Sequence, residues 1–106
     1  LRAQNDKPIV ALFYADWCSA CAAQAPAFRR VARDLESTAT FVAVDTDKNK
    51  SLSGRLEVSK IPVIMVFKGN NPPVDRHVGV MEDEQLKDFV KKACAKPVLP
   101  IEANPI

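Results

Sequence analysis

Three short apolar runs, with one long amphipathic stretch between the first two, constrain the fold of this chain more than any other feature. The runs are residues 9–14 (IVALFY), 41–45 (FVAVD) and 63–67 (VIMVF). Continuous apolar runs of this length, rich in β-branched and aromatic side chains, are typical of strands that are covered on both faces of a sheet. The sequence therefore predicts three buried strands in an α/β domain.

The stretch between the first two runs predicts an amphipathic helix. Its apolar residues recur at positions i, i+3, i+4 and i+7, namely Phe28, Val31, Ala32 and Leu35. Pro26 lies early in this helix, and because proline removes one backbone donor and crowds the preceding turn, we expect a kink there rather than a stop. Strand, helix and strand over about 37 residues fit a right-handed crossover, so the first two strands should be parallel.

The second half of the chain predicts two further helices and a hairpin. Residues 50–56 fit a short helix, and residues 82–95 fit a longer one with an apolar stripe. The turn formers of residues 69–73 (GNNPP) place residues 74–80 at hairpin distance from the third run. The last two strands should therefore be antiparallel.

The size of the chain bounds its domain organisation. With 106 residues, of which 47% are apolar and 26% charged, it has the composition of one ordinary domain. We assign residues 1–96 to that domain. Residues 97–106 contain three prolines and no periodicity, so they are interpreted as an extended tail or the start of a linker.

Charge and hydropathy disfavour several partners and leave the compartment open. A net charge of +2 gives too weak a field to hold nucleic acid or an anionic membrane. No window approaches the roughly 18 apolar residues of a membrane-spanning helix, and the N-terminus lacks a signal-peptide pattern. We expect a soluble domain without membrane contact. Because the chain begins with Leu1, targeting segments can lie outside it; a cytoplasmic or organellar location is favoured over an extracytoplasmic one.

Cys18 and Cys21, directly after the first predicted strand, indicate thiol chemistry. At the first turn of the helix, Cys18 meets unpaired backbone N–H groups and the positive end of the helix dipole, which favour a thiolate. We expect the pKa of this thiol to lie below the roughly 8.5 of a free cysteine. Cys21 lies on the same helical face, close enough to attack a mixed disulfide formed on Cys18. Spacing and placement define an attacking and a resolving thiol.

Other interpretations of the pair have less support. A zinc site needs four ligands, and beyond the pair the chain offers only His77 and Cys94. A c-type haem attachment would need histidine directly after Cys21, where Ala22 stands. A structural disulfide would close so small a loop that it would constrain the unfolded chain little. A CxxC beside a strand–helix–strand pattern favours a redox couple, with no metal and no bound cofactor.

A set of residues together resembles the thioredoxin family. The set is FYADWCSAC at residues 13–21, Pro26, Ile61, Pro62 and Gly79, in the family's order and spacing. The resemblance covers roughly residues 7–95 and implies a thioredoxin fold, with a central mixed β-sheet of about four strands flanked by helices. Only eight residues precede the first predicted strand, too few for the family's first strand and helix. Either the fold is trimmed or that part lies outside the sequence.

The resemblance also implies a surface for a substrate polypeptide. The proline matching Pro62 is cis in the family and faces the redox pair, and the backbone of Ile61 would pair with the substrate like an added strand. Trp17, Tyr14 and Gly79 would extend this into a flat apolar contact surface. A position in the core is the alternative for Trp17.

The chain departs from the family near the resolving cysteine. Thioredoxins usually carry a buried aspartate and a lysine thought to help deprotonate that cysteine, whereas this chain has Leu12 and Ala43. Asp16 is a candidate substitute, with a solvated role in the loop as the other interpretation. We therefore hypothesise that Cys21 loses its proton directly to water or to the substrate.

The dipeptide between the cysteines, Ser19-Ala20, also differs from the Gly-Pro of standard thioredoxins. These two residues help to set the stability of the Cys18 thiolate and hence the reduction potential. Potentials of thiol–disulfide proteins span roughly −270 to −120 mV, and one dipeptide does not place the protein on that scale. The YADWC segment also resembles thioredoxin-like domains attached to membranes.

Two further residues have plainer interpretations. Cys94 lies on the predicted core face of the last helix, where inert packing is expected, with regulatory oxidation as the alternative. His77, the only histidine, alternates with neighbours on a predicted edge strand, so a solvated side chain is expected.

The sequence predicts a thiol–disulfide oxidoreductase in which Cys18 attacks and Cys21 resolves, acting mainly as a reductase of protein disulfides. Its partners would be protein disulfide or dithiol substrates and an unidentified electron donor or acceptor, and a monomer is expected. One alternative is an extracytoplasmic isomerase-type or membrane-linked domain. The alternative from another class is a peptide-binding module with incidental redox activity.

Overall fold

The computed structural model describes residues 7–98, which form one four-stranded sheet with helices packed against it. In chain order the elements are β1 (Ile9–Tyr14), α1 (Ser19–Asp34), β2 (Thr40–Asp45), α2 (Lys50–Arg55), β3 (Val63–Phe67), β4 (Asp75–Val78) and α3 (Asp83–Ala95). The first six residues, and all of the predicted tail beyond residue 98, lie outside the described residues.

The sheet is mixed, as predicted. Its strand order is β2-β1-β3-β4, in which β1 runs parallel to β2 and antiparallel to β3, and β4 is antiparallel to β3. The parallel pairing places Tyr14 at the end of β1 beside Asp45 at the end of β2. The chain leaves β1 at this carboxyl end of the two parallel strands and enters the segment that contains Cys18 and Cys21.

Helix α1 begins directly after Cys18 and runs for 16 residues. Cys18 has an extended backbone and caps the helix N-terminus through its side chain. The helix continues through the exposed Pro26, so the prediction that proline does not stop it is confirmed. Phe28 and Val31 on its apolar face are buried, which fixes the orientation of the helix on the sheet.

Two apolar layers hold the helices on opposite faces of the sheet, because alternate residues of a strand point to opposite sides. One layer joins β1 and β3 to α1 and α3 through Val10, Leu12, Phe28, Val31, Ile64, Val66, Leu86 and Val90. The other joins the same strands to the α2 region through Ile9, Ala11, Phe13, Val63, Met65, Leu52 and Leu56. The two central strands are thus buried on both faces, as predicted.

Strand β2 differs from the predicted buried strand. It begins at Thr40, its residue Ala43 is exposed and Val42 is only half-buried. In the described part of the chain β2 is hydrogen-bonded to β1 alone. It is therefore an edge strand of the described sheet. The helices that cover the two central strands leave part of it exposed.

Smaller differences occur around β4 and the helix ends. Strand β4 covers Asp75–Val78 rather than residues 74–80, because Gly79 has a φ of +107°, a conformation that glycine adopts readily and that turns the chain out of the sheet. Helices α2 and α3 lie within one residue of their predicted bounds. None of the helices between residues 7 and 98 combines the length and apolar character needed to cross a membrane.

Candidate redox site

The site forms where β1 ends and α1 begins. The Cys18 N–H donates to the Ala15 carbonyl oxygen at 3.1 Å, which closes the turn between the two elements. The Cα atoms of Cys18 and Cys21 are 5.2 Å apart, and their side chains form a disulfide. The predicted pairing of these two cysteines is confirmed.

The first turn of α1 favours negative charge on Cys18. The Cys21 N–H donates to Cys18 Sγ at 3.1 Å, and the first turn contains no acidic side chain. Backbone donors and the helix dipole therefore act on this sulfur without an opposing carboxylate in that turn. Cys18 is 9% exposed and Cys21 only 3%, so an approaching disulfide reaches Cys18 more readily.

A cis peptide bond between Ile61 and Pro62 lies beside the pair. The Ile61 carbonyl oxygen is 3.8 Å from Cys18 Sγ, and Ile61 and Tyr14 both pack against the cluster that holds the two cysteines. The Gly79 N–H donates to the Pro62 carbonyl oxygen at 2.9 Å. The structure therefore brings Tyr14, Ile61, Pro62 and Gly79, four of the residues that the resemblance assigned to one surface, together around the cysteine pair.

Trp17 is 72% exposed, so the alternative that placed it in the core is wrong. Its indole Nε1–H donates to Asp47 Oδ2 at 2.9 Å. Asp47 lies in the turn after β2, and that turn is itself fixed because the Asp47 N–H donates to Asp45 Oδ1 at 2.9 Å. Sequence reasoning missed Asp47, although its place just after the carboxyl end of a strand parallel to β1 was a usable signal.

The three residues assigned to redox tuning, Asp16, Ser19 and Ala20, are all exposed. Asp16 thus occupies a solvated position in the loop. None of the three is buried against the cysteine pair. Any influence of their side chains on the pair therefore acts through solvent-screened charge or through the conformation of the first helical turn.

A cavity of about 580 Å³ opens between α1 and the β2 edge. Its lining includes Leu12 and Ala43, the two positions where the family pattern has an aspartate and a lysine, together with Cys21, Ala22 and Asp16. The cavity reaches the resolving cysteine from the side of the helix. The space that polar partners would occupy is apolar here, except at its rim.

Cys94 and His77 lie on other elements. Cys94 is half-buried on α3 and packs against the core; burial raises the pKa of its thiol, and nearby Lys68 lowers it to a smaller extent. The His77 ring is half-buried and makes an edge contact with Phe89 at 6.0 Å, so it is less solvated than predicted. Across residues 7–98, no three His, Cys, Asp or Glu side chains gather to hold a metal ion.

A cysteine pair that closes a disulfide at a helix N-terminus, against a cis-proline on a mixed four-stranded sheet, places this chain in the class of protein-disulfide oxidoreductases. Comparison with known proteins defines the family. The family model described as Thioredoxin matches residues 2–92, and the chain belongs to the thioredoxin family. Proteins of this family act on protein disulfides through their own redox-active cysteine pair.

Similar proteins agree in sequence and in structure. A thioredoxin of Staphylococcus saprophyticus is 36% identical over 80 residues, and one of Staphylococcus aureus (strain Mu50) is 38% identical over 80 residues; each alignment spans 76% of both chains. Chloroplastic thioredoxin z superposes with a TM-score of 0.75 at 26% identity, covering 86% of this chain and 81% of that one. Malaria parasite thioredoxin-2 superposes with a TM-score of 0.75 at 28% identity, covering 81% and 82%. The predicted thioredoxin fold is confirmed.

Proposed function

We propose that this chain works as a reductase of protein disulfides, with Cys18 as the attacking thiolate and Cys21 as the resolving thiol. The observation that carries the assignment is the hydrogen bond from the Cys21 N–H to Cys18 Sγ at the start of α1. It supports a thiolate on Cys18 and none on Cys21, because only the first sulfur lies at the positive end of the helix.

The reaction divides into two exchanges. The Cys18 thiolate attacks one sulfur of the substrate disulfide, the substrate S–S bond breaks, and the leaving sulfur takes up a proton. Cys21 then loses its proton and attacks Cys18 Sγ, which forms the Cys18–Cys21 bond and releases the second substrate thiol. Two electrons pass from the protein to the substrate, and an external dithiol donor must return them.

Release of the Cys21 proton is assigned to solvent or to the departing substrate sulfur. Support comes from the cavity that reaches Cys21 and from the apolar side chains of Leu12 and Ala43 in its lining. Asp16 is at the rim and exposed, where a carboxylate is well solvated. A dedicated buried base is not part of this proposal.

The substrate polypeptide is assigned to the surface of Trp17, Tyr14, Ile61, Pro62 and Gly79. The Ile61 carbonyl oxygen lies within 3.8 Å of Cys18 Sγ, so a chain that pairs with the Ile61 backbone would carry its disulfide to the nucleophile. Trp17 supplies exposed apolar area beside it. Ser19 and Ala20 tune the potential through the helical turn that they occupy.

The organisation of the protein belongs to the same proposal. Residues 1–96 act as one domain, and residues 97–106 act as a tail or linker. A monomer is supported by the outer strand β4, whose charged Asp75 and Arg76 oppose strand pairing with a second copy. A net reductase fits a cytoplasmic or organellar compartment, where thiols are kept reduced.

Single-cysteine variants test the catalytic roles. With dithiothreitol as the electron source, Cys18→Ser should lose all acceleration of peptide-disulfide reduction over dithiothreitol alone. Cys21→Ser, reduced and then freed of dithiothreitol, should accumulate a mixed disulfide with the peptide, detectable by mass. Cys94→Ser is the matched control and should retain the wild-type rate. Turnover by Cys18→Ser, or the same adduct trapped on Cys21 in place of Cys18, would contradict the proposed roles.

A further inference from the structure

Gln24 is a polar side chain held entirely inside the protein. It is 0% exposed, and both ends of its amide bind the backbone of Met81. Gln24 Oε1 accepts from the Met81 N–H at 2.8 Å, and Gln24 Nε2 donates to the Met81 carbonyl oxygen at 3.0 Å. Two residues 57 positions apart are thus joined by a two-point clasp.

The clasp connects the helix of the cysteines to the segment that adjoins the cis-proline. Gln24 lies three residues after Cys21 on α1. Met81 lies two residues after Gly79, whose N–H donates to the Pro62 carbonyl oxygen at 2.9 Å. Pro62 follows Ile61, whose carbonyl oxygen is 3.8 Å from Cys18 Sγ. The contacts form a closed circuit from α1 through residues 79–81 and the cis-proline back to Cys18.

An apolar side chain at position 24 would fill the same space without making these bonds. The Met81 N–H and carbonyl groups would then be buried without partners from the helix, which is costly for backbone groups. Met81 itself is 1% exposed, so water cannot readily replace the amide. Residues 79–81 would move until the Met81 backbone groups found other partners. The surface beside the cysteines would be displaced together with these residues.

We propose that Gln24 is a positioning residue that sets the distance between the cysteine end of α1 and the Ile61–Gly79 surface on which a polypeptide substrate lies. This inference rests on the proposed reductase function. Gln24 touches neither reacting sulfur, so it acts on recognition of a polypeptide and leaves the exchange chemistry alone. The rate at which small disulfides are reduced should not depend on Gln24, because such substrates do not contact this surface.

The test compares Gln24→Met, an unbranched apolar replacement of similar length, with wild type. Two substrates are used, a peptide disulfide and hydroxyethyl disulfide, with dithiothreitol as the electron source, and each rate is taken after subtraction of the reaction with dithiothreitol alone. Because residues 79–81 would shift away from the position in which they adjoin the cis-proline, we expect weaker binding of the peptide, with a rise of about tenfold in its KM, equivalent to about 1.4 kcal/mol. The rate with hydroxyethyl disulfide should stay within about twofold of wild type.

Two further variants make the result specific. Gln24→Glu keeps an acceptor for the Met81 N–H and, when its carboxyl is protonated, also a donor for the Met81 carbonyl oxygen. Its KM for the peptide should therefore fall between those of wild type and Gln24→Met, and should approach the wild-type value as pH falls. Val90→Ala, at a buried position of α3 outside the circuit, is the control for lost stability and should change both substrates equally.

Three outcomes would contradict the positioning role of Gln24, and a fourth would contradict the reductase function on which it rests. An unchanged peptide KM in Gln24→Met, equal losses on both substrates, or failure of both Gln24 variants to fold would overturn the positioning role. A wild-type protein that accelerates neither reduction over dithiothreitol alone would instead refute the proposed function itself.

Discussion

Trp17 Nε1–H donates to Asp47 Oδ2 at 2.9 Å and joins the loop before α1 to the turn after β2, across 30 positions of sequence. The indole is 72% exposed, yet this bond fixes its orientation. A large apolar side chain is therefore held in one orientation next to Cys18 in the sequence, which would lower the entropy lost in the proposed packing of a substrate on it.

Asp47→Ala should release Trp17 and weaken substrate binding. Ordering one side chain on binding costs about 1 kcal/mol, which predicts a rise of about fivefold in KM with little change in kcat. Trp17 is the only tryptophan in the chain, so its fluorescence anisotropy should fall in the same variant. Asp88→Ala removes an exposed carboxylate on α3 and should leave both readouts unchanged. An unaltered anisotropy in Asp47→Ala would contradict the orienting role.

Asp16→Asn should leave the resolving step nearly intact. The carboxylate is exposed, and a solvated group at the rim of the cavity is a poor substitute for a buried base. When the reduced protein is mixed with excess peptide disulfide in a stopped-flow instrument, the rate of forming the Cys18–Cys21 disulfide should stay within about twofold of wild type. General acid–base catalysis contributes roughly 10²–10⁴-fold where it operates. A drop of that size would identify Asp16 as the base for Cys21.

The Cys94 thiol should react slowly with alkylating agents at neutral pH. Burial raises its pKa above that of a free cysteine, so less thiolate is present, and the thiolate is the reacting form. In a Cys18→Ser/Cys21→Ser variant it is the only thiol, since the chain has three cysteines. The midpoint of its alkylation rate with pH should lie higher in the folded chain than in the same chain unfolded in urea. Coincident midpoints would contradict the effect of burial.

The Arg30–Asp83 pair between α1 and the start of α3 should make stability depend on pH. Arg30 Nε and Nη2 donate to the two carboxylate oxygens of Asp83 at 2.7 and 2.9 Å. The hydrogen bond from Arg30 holds the pKa of Asp83 below its ordinary 3.8. A carboxyl whose pKa is lowered by folding stabilises the protein above its unfolded pKa, and this stabilisation is lost as pH falls through the folded value.

Asp83→Asn should therefore lower the urea midpoint at neutral pH, and the difference from wild type should shrink as pH falls through 3.8 and below. Both groups are solvent-exposed, so the difference should also shrink in high salt. Asp88→Asn, whose partner lies on its own helix, is the matched control. A difference that persists unchanged at low pH would assign the effect to packing rather than to charge.

The sequence was sufficient for features that depend on local periodicity. The apolar run of β3 is buried along its whole length and the spacing of Phe28 and Val31 marks the buried face of α1, because each pattern records which side of one element meets the core. The cysteine pair was equally readable, since both thiols and the helix terminus that acts on them lie within a few residues.

Features set by contacts between distant segments could not be predicted from the sequence. The FVAVD run predicted a covered strand, but the position of β2 at the sheet edge depends on which strands pair with it. Gln24 lies on the same stripe as Cys21 and Phe28, and a polar residue on an apolar helix face is a signal that was available. Its partner is a backbone group 57 positions away, and composition carries no trace of such a bond.

The Cys21 N–H donates to Cys18 Sγ only when the first turn of α1 is folded. The folding equilibrium of the chain and the redox equilibrium of its cysteine pair are therefore linked in one thermodynamic cycle. The unfolding free energy of the reduced chain minus that of the oxidised chain must equal the free energy of disulfide formation in the folded chain minus that in the unfolded chain. Each kcal/mol by which the helix terminus preferentially stabilises the reduced, folded chain raises the reduction potential by about 20 mV for this two-electron couple. Two denaturation curves, one for the reduced and one for the oxidised chain, would therefore measure how far the fold raises the reduction potential of the pair. The measurement needs no protein partner.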